Sequence, residues 1–231
     1  DDTKSVADPV EDSKLNILNT LNLLQLSVQY KINHFVFSST GGAIYGDTDI
    51  PTKEMAKEAP VSPYGCAKLA IEKYLHFYNT VYGLHFTALR YSNVYGPRQN
   101  PEGEAGVIAI FLNNLLTGKE PLIFGGAQTR DFVFVEDVAK ANLLALNDTD
   151  SNIYNVGVAT ETNITELFNK INAFFGNKIR PVYKPRKEGE QLKSCLCYNK
   201  IMQNLNWKPN INLEEGLRRT YIWFSEKTQN K

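Results

Sequence analysis

The chain has 231 residues, of which 42% are hydrophobic and 22% charged, a composition typical of a soluble globular protein with one large or two small domains. Lys and Arg together number 25, as do Asp and Glu, and no basic stripe with interleaved aromatic residues is present, so we expect no nucleic acid and no anionic membrane as partner. The longest apolar runs, such as 107–112, fall far short of the ~20 residues of a membrane-spanning helix, and no signal peptide pattern opens the chain, which favours a cytoplasmic protein.

The first part of the chain alternates between predicted helices and strands. Leu and Ile recur at helical spacing over 10–29, and a short apolar strand follows at 34–39. After a loop rich in Gly, Asp, Pro and Thr, Ser62 and Pro63 stand at capping positions of a long helix that ends on Gly83. Further patterns predict strands at 86–93, 130–135 and 153–157 and helices at about 107–117 and 136–146. Such alternation is typical of an α/β protein with a parallel, doubly wound sheet.

Residues 157–231 break this alternation, and we expect them to form a smaller lobe that closes over the carboxyl edge of the sheet. No internal repeat and no low-complexity segment is found along the chain.

The three cysteines favour reduced thiols over a metal site. Cys195 and Cys197 are two positions apart on a predicted strand and therefore share one face. A metal would need further ligands close by, whereas His34, His76 and His85 are distant in sequence. We therefore predict no metal site.

Tyr64 and Lys68 are the first candidates for chemistry. They lie four positions apart on the predicted helix, so they share one face. A free tyrosine titrates near ~10, and a neighbouring ammonium favours its phenolate form. A Y-x-x-x-K pair also occurs on ordinary surface helices. The preceding strand, however, ends in FSST, which places Thr40 at the carboxyl edge, where open α/β sheets bind ligands.

An ordered set of motifs runs through the chain: FSSTGGAIYG, SPYGCAK, LRYSNVYGPRQ, GEAGVIAIF, QTRDFVFVEDVA, YNVG, NWKP and LEEGLRRT. In order and spacing they resemble the extended short-chain dehydrogenase/reductase family, within its NAD-dependent epimerase/dehydratase group, and most of all nucleotide-sugar epimerases of the UDP-glucose 4-epimerase type. The resemblance covers about 5–224.

The resemblance implies a Rossmann-like fold with NAD as cofactor, a UDP-sugar as substrate and a homodimer formed through helices 10–29 and 63–82. It also implies two domains: an NAD-binding domain of residues 1–93 and 130–160, and a nucleotide-sugar lobe of residues 94–129 and 161–231.

The resemblance further implies the catalytic residues. Tyr64 would take the proton from the sugar 4-hydroxyl while the hydrogen on C4 leaves as hydride to NAD. Lys68 would depress the pKa of Tyr64 and hydrogen-bond the nicotinamide ribose. Thr40 would hydrogen-bond the same sugar oxygen as Tyr64.

The residues implied at the cofactor are Asn16, Ser38, Tyr91 and Ser92, together with the catalytic pair. Asn16 matches an asparagine that packs near NAD, although the family usually has glycine where this chain has Asn19. Two alternatives stay open: Asn16 as an exposed helix residue, and Tyr91 as a core aromatic.

The residues implied at the UDP-sugar are Asn93, Val107, Leu122, Phe124, Arg130, Lys187, Glu190 and Ser194. Asn93 and Arg130 would bind the diphosphate, and Leu122 and Phe124 would flank the uracil beside the backbone of Val107. Alternatively, Phe124 is a core aromatic, and Arg130 pairs with Asp131 or Glu136.

Two positions depart from the family in ways that bear on substrate binding. Lys187, in the stretch that ends at Glu190, stands where relatives often have a second phosphate-binding arginine, so a point charge replaces a bidentate fork. Ser194 stands where some relatives place a bulky tyrosine against the sugar 2-position. The smaller side chain predicts room for an N-acetyl group.

The choice of reaction depends on the residues after Thr40. Relatives that dehydrate or decarboxylate a nucleotide sugar carry an acid in this stretch, because these reactions need a further proton donor or acceptor. This chain has Gly41, Gly42 and Ala43 there. The sequence therefore predicts 4-epimerisation through a 4-keto intermediate.

A glycine-rich loop of the G-x-x-G-x-x-G kind is not found between a predicted strand and helix. We therefore expect the first βαβαβ half of such a fold, roughly 80 to 90 residues, to be absent from this chain. Two alternatives to an active epimerase stay open: an inactive remnant that still dimerises, and a module that binds only the UDP-sugar.

Overall fold

The computed structural model describes residues 2–102, 106–186 and 191–229. The helices are α1 (Asp2–Ala7), α2 (Pro9–Ser13), α3 (Asn19–Gln29), α4 (Gly41–Ile44), α5 (Pro63–Tyr82), α6 (Val107–Leu116), α7 (Val135–Ala145), α8 (Ile164–Asn172), α9 (Asn199–Leu205) and α10 (Leu213–Gln229), with a π-helical turn at Lys14–Leu18 and a 3-10 turn at Ala173–Phe175. The strands are β1 (His34–Thr40), β2 (His85–Tyr91), β3 (Asn93–Tyr95), β4 (Leu122–Phe124), β5 (Thr129–Arg130), β6 (Phe132–Phe134), β7 (Asn152–Val156), β8 (Thr162–Asn163) and β9 (Val182–Lys184).

The main sheet consists of three parallel strands in the order β1-β2-β7. Thr40 at the end of β1 is in register with Tyr91, and Tyr91 is in register with Val156 at the end of β7. The last residues of the three strands therefore meet at one carboxyl edge, where ligands bind in open α/β sheets.

Helices cover both faces of this sheet, as a doubly wound fold requires. Phe86 of β2 packs with Leu24 of α3 and Ile71 of α5 in one buried cluster. Leu89, on the opposite face of the same strand, packs with Ala141 of α7 in a second cluster. Apolar side chains point to both faces because neither face meets water. The predicted α/β fold class is confirmed.

A further apolar core lies outside the main sheet, among α6, α8 and α10. Phe111 packs edge-to-face on Phe168 with ring centroids 5.4 Å apart, and Leu217 belongs to the same cluster. Phe132 and Phe134 of β6 also point into it, whereas Val133 between them points into the core of the main sheet. The alternation of side chains along one strand thus joins the two cores. Short strand pairs accompany this part: β3-β6 and β4-β9 are parallel, and β5-β8 is antiparallel.

Two predicted strands are each divided in the structure. The strand predicted at 86–93 ends at Tyr91 and resumes at Asn93, because the N–H of Ser92 donates to Val156 O while that of Asn93 donates to Asp131 O. The backbone thus leaves the main sheet and joins β6. The strand predicted at 130–135 is likewise interrupted at Asp131.

The strand predicted through Cys195 and Cys197 is wrong. Residues 191–197, which we call the strap, make only isolated bridges, in which Leu196 pairs with Thr52 and Lys193 with Thr129. The strap crosses the ends of several elements instead of extending one sheet, so no continuous ladder forms. Both cysteine side chains are buried as free thiols.

Candidate active site

Helix α5 carries the predicted catalytic pair and is defined at both ends by local signals. The Ser62 side chain accepts a hydrogen bond from the Gly65 N–H at 3.1 Å, and Pro63 occupies the first turn. Gly83 ends the helix in the left-handed conformation, with φ 69°. Within this frame Lys68 Nζ lies 5.6 Å from the centre of the Tyr64 ring. The structure therefore brings the predicted pair together.

Lys68 is held at the end of β1. Its ammonium donates to the Ser38 carbonyl at 3.0 Å and lies 4.8 Å from the centre of the Phe37 ring. Burial lowers the pKa of Lys68, and the negative charge of Asp12 opposes this effect. The charge of Lys68 is thus placed between helix α5 and the strand that ends in Thr40.

Gly65 allows helix α5 to begin directly against the turn after Thr40. A Cβ at position 65 would overlap the carbonyl oxygen of Ala43. Because every other residue carries that atom, only glycine permits this approach without a shift of the helix. The first turn of α5, with Tyr64, is thereby packed against the turn that follows Thr40.

Tyr91 and Ser38, both predicted at the cofactor, contact each other. The Tyr91 hydroxyl lies 3.3 Å from Ser38 Oγ and donates to Asn142 Oδ1 at 2.9 Å. The Tyr91 ring packs against the core while its hydroxyl reaches the end of β1, and burial raises the pKa of Tyr91. The interpretation of Tyr91 as a core aromatic therefore fits its ring, whereas its hydroxyl lies at the end of β1.

Asn16 lies in the π-helical turn Lys14–Leu18 and is half-buried. Its side-chain amide donates to Asp12 Oδ1 at 2.9 Å. Helix α2, which carries Asp12, packs against α5. Asn16 is thus bonded to Asp12, whose negative charge raises the pKa of Lys68. Because Asn16 is half-buried, it is not an exposed helix residue.

Ser92 and Asn93 lie where the chain passes from β2 to β3. Ser92 is buried, and Asn93 is half-buried, one residue beyond the carboxyl edge of the main sheet.

The residues predicted around the uracil lie on a different part of the molecule. Leu122 and Phe124 are exposed on either side of the buried Ile123 in β4. This alternation places both side chains on the outer face of the strand, so Phe124 is not a core aromatic. Val107 is half-buried at the first position of α6.

Arg130 is half-buried and donates through Nη1 to the Thr129 carbonyl at 2.8 Å. Of its predicted alternative partners, Glu136 accepts a hydrogen bond from Arg219 at 3.0 Å, and Asp131 accepts hydrogen bonds from backbone N–H groups. Two predicted substrate residues, Lys187 and Glu190, lie outside the described residues.

Ser194, on the strap, lies near Gly42 and Thr40. The position that a Cβ of Gly42 would occupy is 3.9 Å from Ser194 Oγ and 3.9 Å from Thr40 Oγ1. Both hydroxyls are therefore close to Gly42, which has no side chain of its own.

A buried polar network behind the site was not predicted from the sequence. Glu72 accepts hydrogen bonds from Ser39 Oγ at 2.6 Å and from Arg90 Nε at 3.0 Å. Arg90 also donates to the Tyr45 hydroxyl at 2.8 Å, which in turn donates to Asn155 Oδ1 at 2.8 Å. One signal was available: Glu72 follows Tyr64 and Lys68 at the same spacing of four, on the helix face that meets the sheet.

Among residues 2–102, 106–186 and 191–229, no three His, Cys, Asp or Glu side chains are grouped so as to hold a metal ion. No helix in the described part of the chain has the length and apolar composition needed to cross a membrane.

Comparison with known proteins points to one group. Residues 1–157 match the model of the NAD dependent epimerase/dehydratase family. The UDP-glucose 4-epimerase of Mycolicibacterium smegmatis is 38% identical over 229 residues, which cover 98% of this chain and 73% of that protein.

Solved structures that resemble this chain belong to the same group of proteins. The crystal structure of UDP-glucose 4-epimerase with UDP-glucose from Thermotoga maritima has a TM-score of 0.95 at 46% identity and covers 97% of this chain and 74% of its own. The UDP-N-acetylglucosamine 4-epimerase from Methanobrevibacter ruminantium, in complex with UDP-N-acetylmuramic acid, has a TM-score of 0.94 at 33% identity and covers 98% of this chain and 74% of its own.

Proposed function

The chain belongs to the NAD dependent epimerase/dehydratase family, and on this premise we propose that it catalyses the 4-epimerisation of a UDP-hexose. The observation that carries the proposal is the arrangement of Tyr64 and Lys68 on one helix face beside the end of β1, where Thr40 is located. Such an arrangement offers a base, a positive charge next to it and a hydroxyl at the ligand-binding edge of the sheet.

NAD is the cofactor of this family, and residues at the site fit its nicotinamide ribose. An ammonium has three N–H donors. Among the described residues, the Ser38 carbonyl is the hydrogen-bond acceptor of Lys68. Two donors thus remain for ribose hydroxyls, with Tyr91 and Ser38 beside them and Asn16 and Ser92 assigned to the same region. Bound NAD would supply the chemistry of accepting hydride from C4 and returning it.

The chain's own residues would move the proton. We assign the abstraction of the 4-hydroxyl proton to Tyr64 Oη, whose phenolate form is favoured by the positive charge of Lys68. The Thr40 hydroxyl would donate a hydrogen bond to the same sugar oxygen and hold it in place. When hydride returns to the other face of the sugar, Tyr64 would give the proton back.

Epimerisation fits the turn after Thr40 better than dehydration or decarboxylation does. Gly41 and Gly42 have no side chain to act as acid or base, and Ala43 is buried. A Cβ at Gly41 would overlap the side chain of Leu196, so the space beside Thr40 is already occupied by the strap. No additional proton donor is provided at these positions.

The diphosphate and the uracil would be bound by residues on both sides of the site. We assign the diphosphate to Asn93 and Arg130, while Lys187 and Glu190 are assigned to the UDP-sugar from the sequence alone. The exposed side chains of Leu122 and Phe124 offer apolar surface to the uracil, beside the backbone at Val107.

The sugar itself would be a hexose with a free or an N-acetylated 2-position. The small side chain of Ser194, close to Gly42, supports this assignment. UDP-glucose, UDP-galactose and their 2-acetamido counterparts are therefore the proposed substrates.

A homodimer is proposed through the helical segment 10–29 and helix α5. This surface exposes apolar side chains to a degree that is unusual for a protein surface without a partner. They are Leu15, Leu18, Leu23, Leu26, Tyr74, Phe77, Val81 and Tyr82.

The test is a titration of the purified chain with NAD and, separately, with UDP, together with an assay for conversion of UDP-glucose to UDP-galactose. Binding of both ligands with turnover supports the proposal. Binding of UDP without NAD binding or turnover would instead favour a UDP-sugar-binding module, and failure to bind either would favour an inactive remnant.

A further inference from the structure

We propose that Asp131 is a positioning residue of the sugar site, which holds the strap, and with it Ser194, next to Gly42 and Thr40. The inference rests on the proposed function, because it assigns to Asp131 a role in how the UDP-sugar is bound.

The carboxylate of Asp131 joins two segments that are distant in sequence. Its Oδ2 accepts the N–H of Leu196 in the strap at 3.0 Å, and its Oδ1 accepts the N–H of Val158, just after β7, at 2.9 Å. Asp131 is fully buried. Hydrogen bonds to a buried carboxylate are stronger than those between neutral groups, so this contact fixes the strap at its centre.

Two glycines make room for this contact. A Cβ at Gly157 would overlap the Asp131 carboxylate and lie 3.1 Å from the Leu196 Cβ, and a Cβ at Gly41 would overlap the Leu196 side chain. Leu196 is therefore seated in a space that three separate motifs leave open: FSSTGG, TRDF and YNVG. The hydrogen bond from Leu196 to Asp131 and the space left by the two glycines therefore both fix the position of Leu196.

The other strap contacts go to several segments. The Cys197 N–H donates to Thr52 O, and the Thr52 N–H donates to Cys195 O, each at 2.8 Å. The Thr129 N–H donates to Leu192 O at 2.9 Å, the Ser194 N–H donates to Thr129 O at 3.3 Å, and the Gln191 side-chain amide donates to Gly46 O. The strap is thus held on both sides of Ser194, and Asp131 supplies the side-chain carboxylate that holds it at Leu196.

The consequence concerns sugar recognition more than proton transfer. Tyr64 and Lys68 lie on helix α5, and Lys68 is also bonded to β1. Loss of the Asp131 carboxylate would displace Ser194 from its place near Gly42. We therefore expect weaker binding of UDP-sugars, with binding of UDP itself retained.

The test compares Asp131→Asn with a matched control, Asp137→Asn. Asp137 is also a buried aspartate whose carboxylate accepts two backbone N–H groups, those of Asn210 and Ile211 at 3.1 and 3.0 Å. It lies on α7 and not at the strap. The Asp131 bonds use both carboxylate oxygens, so Asp131→Asn must leave the N–H of Leu196 or of Val158 facing an amide NH2 group. Both Asp137 bonds go to Oδ2, so the amide oxygen of Asp137→Asn can keep them. Both variants thus remove a buried carboxylate, and only Asp131→Asn changes the hydrogen bonds that hold the strap.

Two measurements are made on each variant. Hydrogen exchange of the amides in residues 191–197 reports on the strap, and calorimetric titration with UDP, UDP-glucose and UDP-N-acetylglucosamine reports on the ligand site. For Asp131→Asn we expect strap exchange to be at least about tenfold faster, affinity for both UDP-sugars to fall about tenfold, and affinity for UDP to change little. For Asp137→Asn we expect strap exchange and the ratio of sugar affinities to match the parent protein.

If Asp131→Asn does not fold, Leu196→Val provides a milder variant. It weakens the packing of the Leu196 side chain without leaving a polar group unpaired, and it should change strap exchange and UDP-sugar affinity in the same directions. Unchanged strap exchange would overturn the inference, as would faster exchange with unchanged UDP-sugar affinities. If the parent chain binds no UDP-sugar, the proposed function and the ligand part of this inference both fail, while strap exchange still decides whether Asp131 holds the strap.

Discussion

Arg90 and Glu72 face each other behind the candidate site, with Arg90 Nε 3.0 Å from Glu72 Oε1 and both side chains buried. Glu72 lies on the helix of Tyr64 and Lys68, and Arg90 precedes Tyr91 on β2. Through Ser39, which donates to Glu72 at 2.6 Å, the pair also reaches the strand that ends in Thr40. The ion pair therefore connects the elements that carry the candidate catalytic residues.

Replacement of Glu72 by Gln should strongly destabilise the protein. It leaves the buried guanidinium of Arg90 without its main counter-charge, and a loss of about 3 kcal/mol in the free energy of unfolding is expected. Chemical denaturation measures this loss. As a control, Glu215→Gln removes an exposed partner of Arg218 and should cost far less. Equal losses in the two variants would contradict the role of burial.

Replacement of Tyr64 by Phe should abolish most of the turnover. The change removes the hydroxyl that is proposed to carry the proton, so kcat for UDP-glucose should fall about a hundredfold to ten-thousandfold. Tyr74→Phe, at an exposed position of the same helix, should leave kcat unchanged. A Tyr64→Phe variant with the kcat of the parent enzyme would rule out the proposed base.

Replacement of Gly65 by Ala should disturb the start of helix α5. The added methyl would overlap the Ala43 carbonyl, and relief of this overlap should cost about 1–3 kcal/mol of stability and lower kcat through displacement of Tyr64. Thermal unfolding and steady-state kinetics measure the two effects. The neighbouring exposed Cys66 provides the control, since Cys66→Ala should change neither.

The stability of the protein should depend on pH through Asp131. Burial raises the pKa of Asp131 from its ordinary 3.8 to about 6, although N–H donors of Leu196 and Val158 oppose this shift. Between these two values the unfolded chain releases the proton while the folded chain keeps it. The free energy of unfolding should therefore decrease as pH rises from about 4 to about 7, by roughly 3 kcal/mol from this group.

Urea denaturation of the parent protein and Asp131→Asn across this pH range checks the prediction. The difference between the two free energies should decrease with rising pH, because all other titrating groups are common to both proteins. A difference that is constant or that grows with pH would show that the carboxyl is not held protonated by burial.

Several features could be read from the sequence because they depend on neighbours along the chain. Helix α5 is one example: its cap at Ser62, its end at Gly83 and the shared face of Tyr64 and Lys68 all follow from local spacing. The family resemblance depends on such local motifs in order, and the family match confirms it. The domain division and the site assignments remain predictions.

Other features depend on partners that are distant in sequence, and these were missed or misjudged. The break at Ser92 arises because consecutive N–H groups bond to Val156 and Asp131. A strand was predicted through Cys195 and Cys197, but the hydrogen bonds of the strap go to several elements in turn.

By itself, the sequence determined the fold class, the bounds of helix α5 and the pairing of Tyr64 with Lys68, since periodicity and caps act over a few residues. Only the tertiary structure decided that Glu72 meets Arg90 and that Asp131 holds Leu196. These contacts join residues 18 and 65 positions apart, and burial of their charges is possible only when the chain brings the partners together.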